Sequence, residues 1–272
     1  MFMNLECIRS AFRGLLGYKS PIYRLASYLL AHYQILRHES WRTMKQLERI
    51  KETSGEETAL VLRGLQYPFI VRPGTDDVHS VVNNAIREEY GQFSDDFLPH
   101  VIIDAGAYIG DTAAYFLSRF PACRVVALEP NNDSFHIAER NLIPYGDRVV
   151  LLKAALWSEV TTLNFGGIQT GAAIGKGGIK VATETVDSLM SKLNLNFIDI
   201  LKMDIEGAES VVIPSGLGGW LDKVGTILLE THGTEIEESL IPLLTKANFS
   251  CKRLRNVWYC VRFCRSAEQA EK

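Results

Sequence analysis

The sequence predicts a doubly wound α/β fold with a mostly parallel sheet, preceded by a helical extension. Three observations predict it. The run Val101-Ile102-Ile103-Asp104-Ala105-Gly106-Ala107-Tyr108-Ile109-Gly110-Asp111-Thr112 is apolar, ends in an acid, passes two glycines and opens into a helix-forming segment. That is a buried strand, a tight turn and a helix start in succession. From Val101 onward apolar runs of strand length alternate with helical stretches, the pattern of parallel strands joined by crossover helices. The stretch Ser250 to Arg262 alternates around Asn256 and reads as a terminal antiparallel hairpin.

Taken in order, residues 1–55 form a basic amphipathic helical extension. Ser20 caps a helix with Pro21 at its first position. Ile22, Leu25, Leu29, Tyr33 and Leu36 recur at helical spacing, and the helix continues through Met44 and Leu47 to about Ile50. Residues 56–97 form a small strand and helix cap segment, with two short strands around Gly64 and a helix from Val78 to Tyr90 stopped by Gly91. The main domain spans 98–265. Its strands are expected near 101–104, 124–129, 148–154, 197–203 and 225–230, and its helices near 110–119, 132–142, 186–193, 207–215 and 235–246. The glycine-rich stretch Leu163 to Ile179 reads as a mobile loop between two short strands, placed to select the acceptor. Residues 266–272 read as a disordered tail.

Composition, 47% hydrophobic and 22% charged, is that of a soluble globular protein. No apolar run approaches the ~20 residues that span a bilayer, and Met1 to Gly17 lacks a secretory apolar region. The expected location is cytoplasmic, with peripheral contact at the inner membrane face as a variant. Five cysteines, an odd number with no CxxC pair, read as reduced thiols. The net charge of −3 divides unevenly: residues 1–51 hold nine Lys/Arg and three Glu, a balance of +6, which leaves −9 for the rest. For this basic extension, packing on the main domain or a homodimer partner is favoured over an anionic membrane surface. Nucleic acid ranks last, since no RNA-reading motif is present and the rest of the chain is acidic.

The glycine spacing bears on the ligand. Dinucleotide folds use G-x-G-x-x-G to receive a pyrophosphate, whereas this turn reads D-x-G-x-x-x-G with Asp111 at its end. A carboxylate there repels a pyrophosphate, while Asp104 can attract the ammonium of an amino-acid tail. S-adenosylmethionine (SAM) has such a tail, a ribose and no phosphate. About nineteen residues after Gly110, the strand Val125-Val126-Ala127-Leu128 ends in Glu129, placed to accept both ribose hydroxyls. The cofactor set is therefore Asp104, Ala105, Gly106, Ala107, Tyr108, Gly110, Asp111, Thr112, Glu129, Pro130 and Asn131. Ala155, Leu156 and Trp157, in the loop after the third strand, are assigned to the adenine.

The later strands end in Lys202-Met203-Asp204-Ile205-Glu206-Gly207 and Glu230-Thr231-His232-Gly233. Asp204 and Glu206 alternate along an extended chain and point the same way, and Glu230 and His232 share that spacing. Asp204, Glu206, Glu230 and His232 are the catalytic candidates, a polar cluster able to take the proton of an acceptor hydroxyl. Lys202 is expected to pair with a carboxylate, and Glu209 to be a solvated first-turn acid. No metal ligand set is assigned.

These motifs resemble the FkbM family of SAM-dependent methyltransferases. The matching pieces are DAGAYIGDT at 104–112, LEPNNDSF at 128–135 with Asn141 following, VDSLM at 186–190, LKMDIEGAE at 201–209 and LLETHG at 228–233. VRPGTDD at 71–77 and EEY at 88–90 are similar to the segment that precedes the domain there. The resemblance covers roughly 70–262. It implies a class I methyltransferase (Rossmann-like) fold with a seven-stranded sheet and C-terminal antiparallel hairpin. It also implies O-methylation of a hydroxyl on a sugar, glycan or related secondary metabolite. By position it gives Asp104, Gly106 and Gly110 to the SAM turn, Glu129 to the ribose, and Asp204, Glu206, Glu230 and His232 to the acceptor side. Arg72 and Asp77 are expected to close over the cofactor. The competing readings are an NAD(P)-dependent oxidoreductase on the same plan, an N-methyltransferase, and a SAM-binding scaffold without turnover.

Overall fold

The computed structural model describes residues 20–166, 173–174 and 178–263. The chain divides into two compact units, Met1–Glu89 and Tyr90–Lys272. The first contains α1 (Pro21–His38), α2 (Trp41–Glu52), the antiparallel pair β1 (Thr58–Leu60) and β2 (Phe69–Val71), and α3 (Asp77–Val81). The single helix expected from Pro21 to Ile50 is two helices. Glu39 and Ser40 both take extended backbone. The Glu39 carboxylate accepts the amide of Arg63 at 2.7 Å, and the Ser40 hydroxyl accepts the amide of Thr43 at 3.1 Å, capping α2. Met44, Leu47 and Ile50 bury one face of α2. On α1 only Tyr23 is buried, and the stripe Ile22, Leu25, Leu29, Tyr33, Leu36 is exposed. The helix expected over 78–90 is the short α3 followed by a π-helical turn, Val82–Ile86. Arg72 and the buried Asp77 engage each other, guanidinium to carboxylate at 2.8 and 2.9 Å.

The second unit carries a seven-stranded sheet of order β12-β13-β11-β10-β3-β4-β5. Its strands are β3 (Val101–Ala105), β4 (Arg124–Leu128), β5 (Val149–Leu152), β10 (Ile198–Met203), β11 (Val224–Glu230), β12 (Phe249–Leu254) and β13 (Val257–Arg262). β3, β4, β5, β10 and β11 are parallel, and β13 runs against both its neighbours. Helices α4 (Asp111–Arg119), α5 (Asn132–Leu142), α6 (Val186–Lys192), α7 (Glu209–Ser215) and α8 (Thr234–Lys246) lie between them in the chain. This is the doubly wound, Rossmann-like arrangement the sequence predicts. Its central strands read as continuous apolar runs because helices cover both faces. Ile103, Leu128, Leu201, Met203, Ile227 and Leu229 meet Trp220 and Leu244 in one core. The Asp199 carboxylate accepts the amides of His100 and Val101 at 2.9 and 2.8 Å, fixing where β3 begins beside β10.

The chain winds outward from β3 to β5 on one side and from β10 to β11 on the other. β3 and β10 are therefore the topological switch point, beyond whose carboxyl ends such sheets bind ligands. A second, smaller sheet has the order β6-β9-β7-β8, with β6 (Ala155–Leu156), β7 (Thr162–Gly166), β8 (Ala173–Ile174) and β9 (Ile179–Glu184). The remainder of the glycine-rich stretch, 167–172 and 175–177, lies outside the described residues, as does the expected tail at 266–272.

One cysteine expectation is corrected. Cys251 and Cys260 are joined as a disulfide, because the β12–β13 register sets them directly opposite each other. Cys123 is a buried free thiol, and burial pushes its pKa up to about 11.

Candidate active site

Four strand ends build the site. At the end of β3 the chain must turn within van der Waals contact of β10. A Cβ on Gly106 would lie 1.9 Å from the carbonyl oxygen of Asp204, and Gly106 holds φ +78. Both facts require glycine there. The turn continues through Ala107 and Tyr108 to Gly110 at φ +82, which leads into α4 with Asp111 and Thr112 buried in its first turn. Ala105 and Ala107 are buried, and the amides of Gly106 and Ala107 donate to the carbonyl of Leu128 at the end of β4.

Glu129 follows Leu128 and is 6% exposed. One carboxylate oxygen accepts the amide of Tyr108 at 2.7 Å and the other the amide of Asn131 at 2.7 Å. The acid thus ties the glycine turn to the second strand, and Pro130 leads to Asn131, which caps α5. Desolvation pushes the Glu129 carboxyl up to about 7. The two amides and Lys202 pull the other way, while Asp104 adds to the rise. Of the adenine set, Leu156 sits in the main core, and Ala155 packs with Phe165 and Val181. Trp157 donates its amide to Glu184 at 2.8 Å.

Asp104 and Lys202 stand opposite each other in the β3–β10 ladder. Both are buried, with Nζ 3.0 Å from Oδ1, so the expected Lys202–carboxylate pair is present and Asp104 is its partner. The ammonium also donates to the carbonyl of Gly106 at 2.7 Å and lies 5.6 Å from the centre of the Tyr90 ring. Burial works against the Lys202 charge, but Asp104, Asp204 and Glu230 outweigh it and hold its pKa above the usual lysine value.

Past β10 and β11 lie the other candidates. His232 Nε2 is 3.4 Å from Asp204 Oδ1 and 3.7 Å from Glu206 Oε2. The structure therefore brings Asp204, Glu206 and His232 together, though not along an extended strand: Glu206 holds φ +54 and Gly207 φ +100, so a turn swings the second acid back. Glu230 is directed elsewhere, accepting the phenol of Tyr90. Glu209 was expected in solvent and is instead fully buried. Its Oε1 accepts the amide of Ile205 at 2.9 Å and lies 3.2 Å from His232 Nδ1. The Glu209 contact raises the His232 pKa most. Burial opposes it, and the charges of Asp204, Glu209 and Glu206 complete a rise to about 9. At neutral pH the imidazole is cationic. Glu209 and Tyr90 are the two site residues that sequence reasoning missed. The first was hidden by its first-turn position, and the second lies 140 residues from its partner.

The model of the FkbM methyltransferase domain matches residues 104–251, more than half of the chain and all of the site just described except Tyr90. The chain belongs to the FkbM methyltransferase family. It thus carries a methyltransferase-family domain with a class I Rossmann-like fold, and the oxidoreductase reading falls away. The 2-O-methyltransferase NoeI of Sinorhizobium fredii is 28% identical, aligned over 53% of this chain and 68% of its own. The AMB antimetabolite synthetase AmbE of Pseudomonas aeruginosa is 27% identical over 48% of this chain, which spans only 8% of AmbE. A methyltransferase FkbM structure from Methylobacillus flagellatus shares 13% identity at a TM-score of 0.46, with 80% of this chain and 59% of that one covered. Among the described residues no helix of the FkbM protein is long and apolar enough to cross a membrane.

Proposed function

We propose that this FkbM methyltransferase moves the S-methyl group of SAM to a hydroxyl of a sugar, glycan or related secondary metabolite. The observation that carries the reading is Glu129: a buried carboxylate at the end of β4, clamped on the amide that opens the glycine turn. Such an acid receives ribose hydroxyls, and the D-x-G-x-x-x-G spacing of the turn it clamps, in place of G-x-G-x-x-G, favours SAM over a dinucleotide. The residues fit the cofactor. Gly106, Ala107 and Tyr108 offer close backbone, Asp104 and Lys202 fix the turn from beneath, and Asn131 is held by Glu129. When bound, SAM supplies a methyl group on a positively charged sulfur.

The chain's own residues do the rest by placement and proton handling. Methylation of a hydroxyl releases one proton. His232, cationic at neutral pH, cannot take it, so the receiving group is Asp204 or Glu206, each within 4 Å of the imidazole. The imidazolium orients both carboxylates and is itself held by Glu209. The name of NoeI, a 2-O-methyltransferase, supports a hydroxyl acceptor.

The test is a radiolabelled methyl-transfer assay against a panel of mono- and oligosaccharides, with Asp204→Ala alongside. Label in a base-stable ether product, lost in the variant while cofactor binding persists, supports the reading. Equal label in the variant, or label on nitrogen, overturns it. A scaffold without turnover would give none in either protein while still binding cofactor.

A further inference from the structure

Asp204, Glu206 and His232 each offer one ligand atom, and the three lie within 4.8 Å of one another. We propose that they bind one divalent metal cation of the hard-to-borderline class, typified by Mn2+ and Mg2+, at the acceptor side of the site. The use of that ion in catalysis rests on the methyl-transfer reading above; its binding does not.

Four features support the site. The first is spacing. Nε2 of His232 stands 3.4 and 3.7 Å from the nearer carboxylate oxygens, wider than well-formed hydrogen bonds. A six-coordinate ion with bonds of about 2.1 Å sets neighbouring ligand atoms about 3.0 Å apart and opposite ones about 4.2 Å apart. Both His232 distances fall within that range, and all three ligand atoms lie within 4.8 Å of one another.

The second is Glu209, which is not one of the three ligands. It is fully buried, faces His232 Nδ1 at 3.2 Å, and among the described residues its Oε2 has no hydrogen-bond partner. A buried carboxylate with an unanswered oxygen is costly unless positive charge stands near it. Its place behind the imidazole matches the carboxylate–histidine–metal relay, in which an acid holds one ring nitrogen so that the other faces the ion.

The third is the local charge. Asp204, Glu206 and Glu209 surround one imidazole, and the nearby ammonium of Lys202 is committed to Asp104 and the Gly106 carbonyl. The fourth is donor chemistry. Two carboxylates and one imidazole without sulfur suit Mn2+ or Mg2+ better than a thiophilic ion. Three protein ligands leave coordination positions for water or an acceptor hydroxyl.

An alcohol oxygen on such an ion gives up its proton to water more readily. In methyl transfer the oxygen–carbon bond then forms as the carbon–sulfur bond breaks. The electron pair of the broken bond returns to sulfur. With the ion bound, the His232 Nε2 proton is displaced, the two carboxylates serve as ligands, and the hydroxyl proton goes to solvent instead of to Asp204 or Glu206.

The experiment titrates Mn2+ into the metal-stripped full-length protein and follows the free-ion electron paramagnetic resonance signal. One Mn2+ should bind per chain, saturably, with competition by Mg2+. Glu206→Gln and His232→Gln should each abolish or weaken binding at least tenfold. Glu209→Gln, acting through His232, should weaken it by roughly 10–100-fold. Glu206 is 27% exposed, so its variant keeps the test valid if Glu209→Gln fails to fold. Absence of saturable binding in the wild type, or binding unchanged in Glu206→Gln and His232→Gln, overturns the site. S-adenosylhomocysteine titrated into the same samples separates the two ideas. Cofactor bound without Mn2+ sinks only the cation, and Mn2+ bound without cofactor sinks only the SAM reading.

Discussion

Glu129 makes cofactor binding depend on pH in a direction the structure fixes. Its folded pKa of about 7 lies above the ordinary 4.5, so the folded protein binds this proton more tightly than the unfolded chain. The resulting stability is fully present below pH 4.5 and is lost as pH rises through 7. A shift of this size corresponds to about 3 kcal/mol of charge-burial cost. Ribose hydroxyls donate to a carboxylate, so a ligand that uses Glu129 selects the ionised form and releases the proton on binding. With a pKa of about 7, the apparent dissociation constant of S-adenosylhomocysteine should rise about tenfold from pH 8 to pH 6. His232 stays protonated across that window and adds no slope. The assay is calorimetric titration at pH 6, 7 and 8 in buffers of different ionisation enthalpy. Proton release should approach one per site at pH 6 and fall toward zero at pH 8. A flat affinity, or the same slope in Glu129→Gln, refutes the assignment of this proton.

Three further outcomes follow from the packing. Gly106→Ala forces a Cβ to 1.9 Å from the Asp204 carbonyl. It adds positive-φ strain of about 1–3 kcal/mol to a backbone clash and should lower the thermal midpoint and abolish cofactor binding. Gly146→Ala, with φ +59 but nothing within 4 Å, should show the strain alone. Lys202→Met leaves the buried Asp104 charge unpaired and should cost about 3–5 kcal/mol in urea unfolding. Adding Asp104→Asn should restore part of that loss, and additive effects would dissolve the pair. Ser40→Ala removes the cap of α2 and should cost about 1 kcal/mol, read as reduced helical circular-dichroism stability. An unchanged melt would mean that the Glu39 contact alone sets the break.

From Val101 to Arg262 the main elements were legible because β3, β4, β10 and β11 are apolar runs closed by an acid or a glycine, and α4, α5, α7 and α8 begin at a polar residue. The pairing of Lys202 could also be read, since a lysine inside an apolar strand must find a carboxylate. Where sequence reasoning failed, long-range contacts decided. The continuous helical pattern from Pro21 to Ile50 is broken because Glu39 turns inward to the amide of Arg63, a demand that helical periodicity does not register. The disulfide depends on hairpin register, which a one-residue slip would have undone. Glu209 carries the signature of a solvated first-turn acid. Only the placement of His232 just past the end of β11 shows that the carboxylate is internal. Tyr90 lies in the EEY stretch that precedes the domain, but nothing local to it shows that it reaches Glu230, 140 residues away.

The family assignment gives the chain an FkbM methyltransferase domain, and the proposal that SAM is its donor stands or falls on a calorimetric titration with S-adenosylhomocysteine, run beside NAD. The structure leads us to expect saturable binding of the former at one site per chain, lost in Glu129→Ala, and no heat from NAD. Binding of NAD alone, or S-adenosylhomocysteine binding indifferent to Glu129→Ala, would contradict both the glycine-turn reading and the place given to the ribose.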